Sequence, residues 1–217
     1  MKYPTANEAF RKIPEEKQNK IIDAALNEFA QYGYSEANIN KIAERAGVSV
    51  GSLYKYFSDK QNLYETIVNI STDLLREALG DIISNNEDLF VIIEKIIGAI
   101  QEHARVHQNM FKLYNEMTSE NNSELTWKSA GSVEGVTAEL YASLIGKARE
   151  QGIAGKDFEP RYFAFFLDNL FMMLQFSYSC EYYKERLKMY IGEDALRDDS
   201  LMSEQLIKFI RGALGRG

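Results

Sequence analysis

Proline is nearly absent from this chain, and that scarcity constrains the fold more than any other feature. Only Pro4, Pro14 and Pro160 occur among 217 residues. The long stretches between them are rich in Ala, Leu, Ile, Glu and Lys, which favour helices, and their apolar residues recur with the period of a helix. No run of alternating β-branched residues closes on an Asn-Gly or Asp-Gly turn. The sequence therefore predicts an all-α protein of about nine helices with no sheet.

The composition, 45% apolar and 26% charged residues, is that of a globular domain. The N-terminus lacks the apolar h-region of a signal peptide. A single cysteine, Cys180, excludes an intrachain disulfide. The most apolar segment, 162–180, contains Asp168, Asn169 and Gln175, and a membrane span of that length rarely carries so many polar groups. We therefore expect a cytoplasmic protein that does not interact with a membrane.

Apolar periodicity, capping residues and polar breaks indicate where the helices begin and end. Two short helices, with Asn38 and Ser49 as their N-caps, are joined by a very tight turn at Gly47. This arrangement over residues 38–57 is typical of a helix-turn-helix. The predicted helices cover about residues 15–32, 38–46, 49–57, 60–84, 89–107, 109–117, 125–151, 160–190 and 200–214.

Charge is distributed unevenly between two predicted domains, 1–62 and 63–217. The chain has a net charge of −7, which is unusual for a protein that binds nucleic acid. Residues 1–62 hold nine Lys and Arg against eight Asp and Glu, however, so the acidic excess lies in the second domain. The overall charge therefore does not exclude a local DNA-binding surface in the first domain.

The segment 33–65, GYSEANINKIAERAGVSVGSLYKYFSDKQNLYE, carries many ordered positions at fixed spacing. It resembles the DNA-binding domain of the TetR family of transcriptional regulators, and the preceding helix IIDAALNEFAQYGY is similar to that family as well. The resemblance covers roughly residues 15–65. The matching positions are Ile42, Ala43, Ala46, Gly47, Val48, Ser49, Gly51, Leu53, Tyr54, Tyr56, Phe57, Lys60 and Leu63.

The resemblance implies which side chains meet DNA. A recognition helix presents short side chains to the base edges at its N-terminal end, and Ser49, Val50, Gly51 and Ser52 are all small. Lys55 lies at the variable position and would reach either guanine N7/O6 or a phosphate. The other candidates, which would bind phosphates or add positive charge, are Asn38, Lys41, Arg45, Tyr54, Tyr56 and Lys60.

Two positions depart from the family pattern. The family usually has Thr just before the second helix, where this chain has Ala37, so the candidate for a phosphate contact there is Asn38. The first position of the recognition helix is often Lys in the family and is Val50 here. Because Val50 can touch a thymine methyl group but cannot donate a hydrogen bond, readout at this position is expected to be apolar.

One recognition helix reads only a few base pairs, and two-fold dimers present two of them about 34–36 Å apart. We therefore expect a homodimer on a near-palindromic operator. In the family the last two long helices pair with their mates, and here these would be 160–190 and 200–214. Either that face forms the dimer interface or it packs within its own chain. The candidate interface residues are Leu206, Phe209, Ile210 and Leu214.

The helix predicted from Arg161 is unusually aromatic, and the family resemblance implies that the C-terminal domain binds a small, largely apolar or aromatic effector. Binding of this effector would release a repressor from its operator or, with the opposite sign of coupling, favour DNA binding. For any one of these residues, a place in the core or in the dimer interface is the competing interpretation. The candidate ligand contacts are Phe111, Tyr114, Met117, Trp127, Phe165, Phe166, Asp168, Met172 and Phe176.

Three other interpretations remain open. In one of them the C-terminal domain binds a protein partner or no ligand, which leaves a plain DNA-binding dimer. A helical enzyme is a remote alternative, because the chain lacks a Ser/His/Asp order, an HExxH motif and a Gly-rich phosphate loop. His103 and His107 share a helix face and could hold a metal, but no third ligand accompanies them. We therefore expect no cofactor, no metal and no catalytic residue.

Overall fold

The computed structural model of the chain describes residues 5–84, 87–118, 124–155 and 159–214. All regular structure in these ranges is helical, which confirms the predicted class. The described residues form eleven helices, so the predicted number of about nine is corrected. They are α1 (Glu8–Arg11), α2 (Glu15–Glu36), α3 (Ile39–Ala46), α4 (Val50–Tyr56), α5 (Lys60–Ser84), α6 (Leu89–Val106), α7 (Gln108–Met117), α8 (Glu124–Glu150), α9 (Pro160–Ser179), α10 (Glu181–Ile191) and α11 (Asp199–Leu214).

The first additional helix, α1, is only four residues long, too short for apolar periodicity to reveal it. It exists because Phe10 is completely buried. The Phe10 ring centroid lies 4.8 Å from that of Phe57. Tertiary packing rather than local propensity therefore holds this helix in place.

The second additional helix arises because the segment predicted as one helix over 160–190 is divided at Cys180. The backbone of Cys180 is extended, with φ −110° and ψ 130°. No glycine or proline marks the break. The hydroxyls of Ser177 and Ser179 each donate to the carbonyl four residues earlier, at 2.8 Å. Hydroxyls bonded in this way weaken and bend helices, which accounts for the interruption here.

The chain forms two compact units. Unit 1 comprises Met1–Leu74 and Lys112–Ser132, and unit 2 comprises Leu75–Phe111 and Val133–Gly217. In unit 1 the completely buried side chains of Ile21, Phe29 and Ile42 join α2 to α3. Burial of these apolar side chains is the main stabilising contribution in this unit.

In unit 2, α6 packs against α9 and α11. Four isoleucines of α6 lie in the core of this unit: Ile92, Ile93, Ile96 and Ile97.

Polar contacts fix the first turn of α11 within unit 2. The Arg105 guanidinium on α6 donates to the Asp199 carboxylate (Nη2–Oδ1, 2.6 Å), and the Tyr178 hydroxyl on α9 donates to the same carboxylate at 3.0 Å. The hydrogen bond from Arg105 lowers the pKa of Asp199, and burial raises the pKa of Tyr178 to about 12. These contacts connect α11 to both α6 and α9.

Candidate nucleic-acid interface

Helix α3 begins and ends at the residues predicted from the sequence. The Asn38 side-chain oxygen accepts from the Asn40 backbone N–H at 2.9 Å, as an N-cap does. At the other end Gly47 adopts φ +66° and ψ 34°, a left-handed conformation that favours glycine. The chain therefore turns sharply after α3.

Three residues separate the end of α3 from the start of α4. Ser49 is extended, with φ −75° and ψ 152°, and its hydroxyl accepts from the Ser52 N–H at 3.1 Å. Ile42 on α3 and Leu53 on α4 are buried. The two helices thus have both the caps and the shared core of a helix-turn-helix.

Small and polar side chains form the outward face of α4. Tyr54 is 49% exposed, and the Ser49 and Ser52 hydroxyls lie 2.9 Å apart. This face can approach a DNA groove without first unpacking the core of the unit. The exposed residues are Ser49, Gly51, Tyr54 and Lys55, and Val50 and Ser52 are half-buried.

Two predicted phosphate-binding residues are engaged within the protein. Tyr56 is buried, with its ring centroid 5.9 Å from that of Phe10. The Lys60 ammonium donates to the Ser35 carbonyl at 2.9 Å and lies 5.1 Å from the centroid of the Tyr34 ring. Burial lowers the pKa of Lys60, and the nearby Glu36 carboxylate opposes that effect. Tyr54 is therefore the more exposed of the two tyrosines.

Glu28 organises the start of α3 and had no role in the predicted site. Its carboxylate is nearly inaccessible, with 3% of the side chain exposed. Oε1 accepts from the Asn38 N–H at 3.0 Å, and Oε2 accepts from Arg45 Nη1 at 2.9 Å. Glu28 thereby fixes two candidate DNA contacts relative to each other. The sequence does contain a signal for this role, because Glu28 lies on the apolar face of α2, next to Phe29. A charged residue on a buried face needs a partner, so its presence there predicts an ion pair or hydrogen bonds.

Lys41 also lies on α3, and its ammonium pairs with Glu44 at 3.0 Å on an exposed surface. Such a pair contributes little to stability and is readily exchanged for another anion. Lys41 and Lys55 are therefore the accessible ammonium groups among the candidate residues of α3 and α4.

The predicted effector residues are divided between the two units. Tyr114, Met117 and Trp127 belong to unit 1, and the others belong to unit 2. The structure buries Met117 and Phe176, leaves Phe111, Tyr114, Asp168 and Met172 half-buried, and exposes Trp127, Phe165 and Phe166.

Phe165 and Phe166 are 64% and 58% exposed, so in the single chain they do not line a closed cavity. Both lie on α9 one turn after Tyr162, which is 69% exposed. Together these three residues form an apolar surface on α9, and an exposed apolar patch of this kind commonly marks an interface.

The predicted dimer residues require a correction. Ile210 and Leu214 are 1% and 0% exposed and belong to the core of unit 2. Leu206 packs against that core. Phe209 points away from it and is 64% exposed. The face named from periodicity is therefore mostly the inner face of α11, and Phe209 is the most exposed of the four.

Asp168 carries a carboxyl group whose charge is unfavourable to the fold. Burial raises its pKa, a hydrogen bond with Thr137 opposes this effect, and nearby Glu134 adds to it. An aspartate with a raised pKa in the folded state binds protons more tightly when folded, so ionisation at neutral pH lowers stability.

We expect Asp168→Asn to increase the free energy of unfolding at pH 7, because the amide keeps an oxygen for Thr137 and carries no charge. The gain should shrink as the pH falls through the raised pKa of Asp168, since protonation removes the same charge from the parent protein. Urea titrations at several pH values from 7 downward measure this. Asp199→Asn is the control: the pKa of Asp199 is lowered by Arg105, so this variant should be less stable at pH 7.

His103 and His107 are exposed, with ring centroids 5.6 Å apart. Within the described residues no group of three or more His, Cys, Asp or Glu side chains is placed to hold a metal. None of the described helices is both long and apolar enough to cross a membrane.

The paired, capped helices and the exposed polar face of α4 define a helix-turn-helix DNA-binding protein. Residues 21–67 match the family described as bacterial regulatory proteins, tetR family. The N-terminal region of the chain is therefore a DNA-binding domain of the tetR type, and the chain is a DNA-binding transcriptional regulator.

Individual relatives agree with this assignment. The chain is 24% identical over 166 residues to the uncharacterized helix-turn-helix transcriptional regulator YhgD of Bacillus subtilis, covering 75% of this chain and 84% of that protein. Relatives of 30–40% identity, among them a B. subtilis fatty acid metabolism regulator, are matched over only about a third to a half of their length.

Solved structures share the fold over nearly the whole chain. A TetR family regulator from Chloroflexus aurantiacus superposes with a TM-score of 0.68 at 21% identity, covering 98% of this chain and 99% of that one. The regulator FadR from Bacillus subtilis, in complex with stearoyl-CoA, gives a TM-score of 0.68 at 17% identity over 91% of this chain and 99% of that one. At such identities the similarity establishes the fold.

Proposed function

We propose that this protein is a cytoplasmic repressor that binds a near-palindromic operator as a homodimer and is released by an apolar effector. The observation that carries this proposal is the outward face of α4, where Ser49, Gly51, Tyr54 and Lys55 are exposed on a helix capped at its first turn. Protein groups of this size and polarity suit base edges and phosphates in a major groove.

The roles of these residues follow from their chemistry. Lys55 would bind guanine or a phosphate, and Val50 would contact a thymine methyl group. The Tyr54 hydroxyl, the Lys41 ammonium and the Asn38 side chain would bind phosphates and set the register of the helix. Tyr56 and Lys60 would mainly support the position of α4 and of the turn at Ser35, because both are engaged within the protein.

We propose that the dimer interface lies on the exposed faces of α9 and α11. Tyr162, Phe165 and Phe166 on α9 and Phe209 on α11 supply its apolar side chains. Aromatic residues are the usual anchors of such interfaces. This assignment replaces Ile210 and Leu214, which are already covered by their own unit.

For the effector we propose a long apolar molecule such as a fatty acyl thioester. Support comes from the aromatic and methionine content of α9 and from the stearoyl-CoA complex of a protein with the same fold. An effector that binds preferentially to one conformation of the dimer shifts operator affinity, and the operator shifts effector affinity by the same factor.

Selection of genomic DNA fragments with the purified protein tests the DNA-binding proposal. We expect enrichment of a near-palindromic site whose affinity falls steeply as salt increases, since bound counterions are released from phosphates. If neither the protein as purified nor the protein denatured and refolded to remove ligand enriches any fragment over shuffled DNA, the proposal is wrong.

Thermal unfolding with stearoyl-CoA, and with coenzyme A alone as control, tests the effector class. A ligand that binds only the native state raises the melting temperature, and the rise grows with the logarithm of its concentration above the Kd. We expect stabilisation and release of the selected DNA fragment with stearoyl-CoA only. An equal effect of both compounds, or no effect of either, contradicts an acyl effector and leaves the DNA-binding proposal untouched.

A further inference from the structure

Residues 5–13, which we call the N-terminal strap, contact the C-terminal end of the recognition helix α4. The Asn7 backbone N–H donates to the Tyr56 carbonyl at 2.9 Å, and the Asn7 side-chain Nδ2 donates to the Lys55 carbonyl at 3.2 Å. These two carbonyls belong to the last turn of α4, where a helix has no internal donors for its own oxygens. One residue of the strap therefore satisfies two terminal groups of α4.

Asn7 is available for this contact because it does not cap its own helix. It occupies the N-cap position of α1, where an asparagine side chain normally accepts from the backbone. Here that side chain makes no capping bond and instead turns toward Lys55. The connection to α4 has replaced a local interaction that would stabilise α1.

The strap is anchored on both sides of Asn7. After it, Phe10 is completely buried against Tyr56 and Phe57. Gln18 on α2 holds this part by donating to the Phe10 and Ile13 carbonyls, at 3.1 and 3.0 Å.

Before Asn7, the strap is tied to α5. The Asn62 side-chain Nδ2 donates to the Thr5 carbonyl at 2.9 Å. The Thr5 and Thr66 hydroxyls lie 2.7 Å apart, and because Thr66 donates to the Asn62 carbonyl, Thr5 is the donor between the two hydroxyls. The strap therefore joins α2, α4 and α5, all within unit 1.

Helix α4 needs such external support. It has seven residues, about two turns, and an isolated helix of that length is not stable in water. Its first turn is secured by Ser49, whereas its last turn carries Lys55, the only charged side chain on its outward face. Fraying of that last turn would displace Lys55 relative to the bases.

We propose that the N-terminal strap is a positioning element for DNA readout, and that Asn7 is its positioning residue for Lys55. Residues 5–13 lie before the segment 21–67 that matches the family. The proposal rests on the DNA-binding function proposed above. If the proposal is right, loss of Asn7 reduces the discrimination between operator and other DNA. Asn7 is uncharged, so its loss should not change the non-specific attraction to phosphates.

The test compares Asn7→Ala and Asn7→Pro with the parent protein on the fragment selected from genomic DNA and on shuffled DNA. Alanine removes the side-chain donor. Proline removes the backbone donor as well, and its ring suits the φ of −66° at this position. At about 1 kcal/mol per hydrogen bond, and because operator affinity scales with the fraction of protein whose α4 is ordered, we expect operator binding to weaken by up to about five-fold with alanine and up to about twenty-five-fold with proline. Binding to shuffled DNA and the salt dependence should stay unchanged.

Asn27→Ala is the matched control. Its Nδ2 donates to the Asp23 carbonyl at 2.7 Å within α2, so the same substitution removes the same kind of bond away from α4. Parent-like operator binding by Asn7→Pro overturns the proposal. An equal loss on operator and shuffled DNA with a lower melting temperature also overturns it, since that result describes general destabilisation.

Hydrogen exchange without DNA separates this proposal from the DNA-binding function. We expect faster exchange at the last amides of α4 and at Phe57, whose N–H donates to Leu53, in Asn7→Pro than in Asn27→Ala. If the parent protein selects no DNA, the proposed function fails and exchange still decides whether Asn7 holds α4. Unchanged exchange in Asn7→Pro overturns the positioning role by itself.

Discussion

A double variant with Phe165→Glu and Phe209→Glu is expected to be a folded monomer that no longer binds the operator in the nanomolar range typical of specific complexes. Both side chains are 64% exposed, so their replacement does not disturb the core of unit 2. An aromatic anchor at the centre of an interface contributes about 2 kcal/mol or more. Each substitution occurs twice in a two-fold dimer, which multiplies its effect on the association constant.

The consequence for DNA binding follows from the geometry of two half-sites. A monomer presents one recognition helix and binds one half-site. It loses the gain in affinity that a dimer obtains when its second recognition helix binds the second half-site of the same operator. Sedimentation or light scattering measures the oligomeric state, and titration of the selected fragment measures affinity. The far-ultraviolet circular dichroism should remain that of the parent protein.

Val106→Glu provides the matched control for this variant. Val106 is 68% exposed on α6 in the same unit and lies outside the proposed interface. The control adds one of the two negative charges of the double variant, at an equally accessible apolar residue, and should remain dimeric with full operator affinity. A parent protein that is monomeric at micromolar concentration, or a double variant that stays dimeric, contradicts the proposed interface.

The helix-turn-helix could be predicted from the sequence because its signals are local. Asn38, Gly47 and Ser49 each act on backbone groups within a few residues, so their spacing alone indicates where α3 and α4 begin and end. The side chains that hold this motif are different. Glu28 and Asn7 act on residues 10 and 48 positions away in the chain, and no local pattern reports such contacts.

The dimer face shows a second limit of periodicity. The apolar repeat on α11 correctly indicates that one face is covered, but it does not say by what. Ile210 and Leu214 are covered by their own unit, whereas Phe209, out of phase with them, remains exposed. Distinguishing the inner face from an interface requires knowledge of which helices are neighbours, and only the folded structure supplies it.

Gly33→Ala is expected to destabilise the protein by about 3 kcal/mol, near the upper end of the cost of a strained backbone. Gly33 interrupts α2 with φ +67° and ψ 175°, a region that glycine alone adopts readily. An added Cβ would also lie 2.6 Å from Oε1 of Glu116 in the same unit. Both effects act in the folded state, so the urea midpoint should fall without a change in slope.

Gly47→Ala separates the two contributions. Its φ of +66° is nearly the same, but its ψ of 34° lies in the ordinary left-handed region and nothing lies within 4 Å of an added Cβ. We expect a cost of about 1–2 kcal/mol there. Glu116→Ala, introduced into the Gly33→Ala variant, should recover the part due to contact and leave the backbone part. Equal costs for the two glycines would mean that neither the Glu116 contact nor the extended ψ of Gly33 constrains this turn, and that a flexible carboxylate simply moves aside.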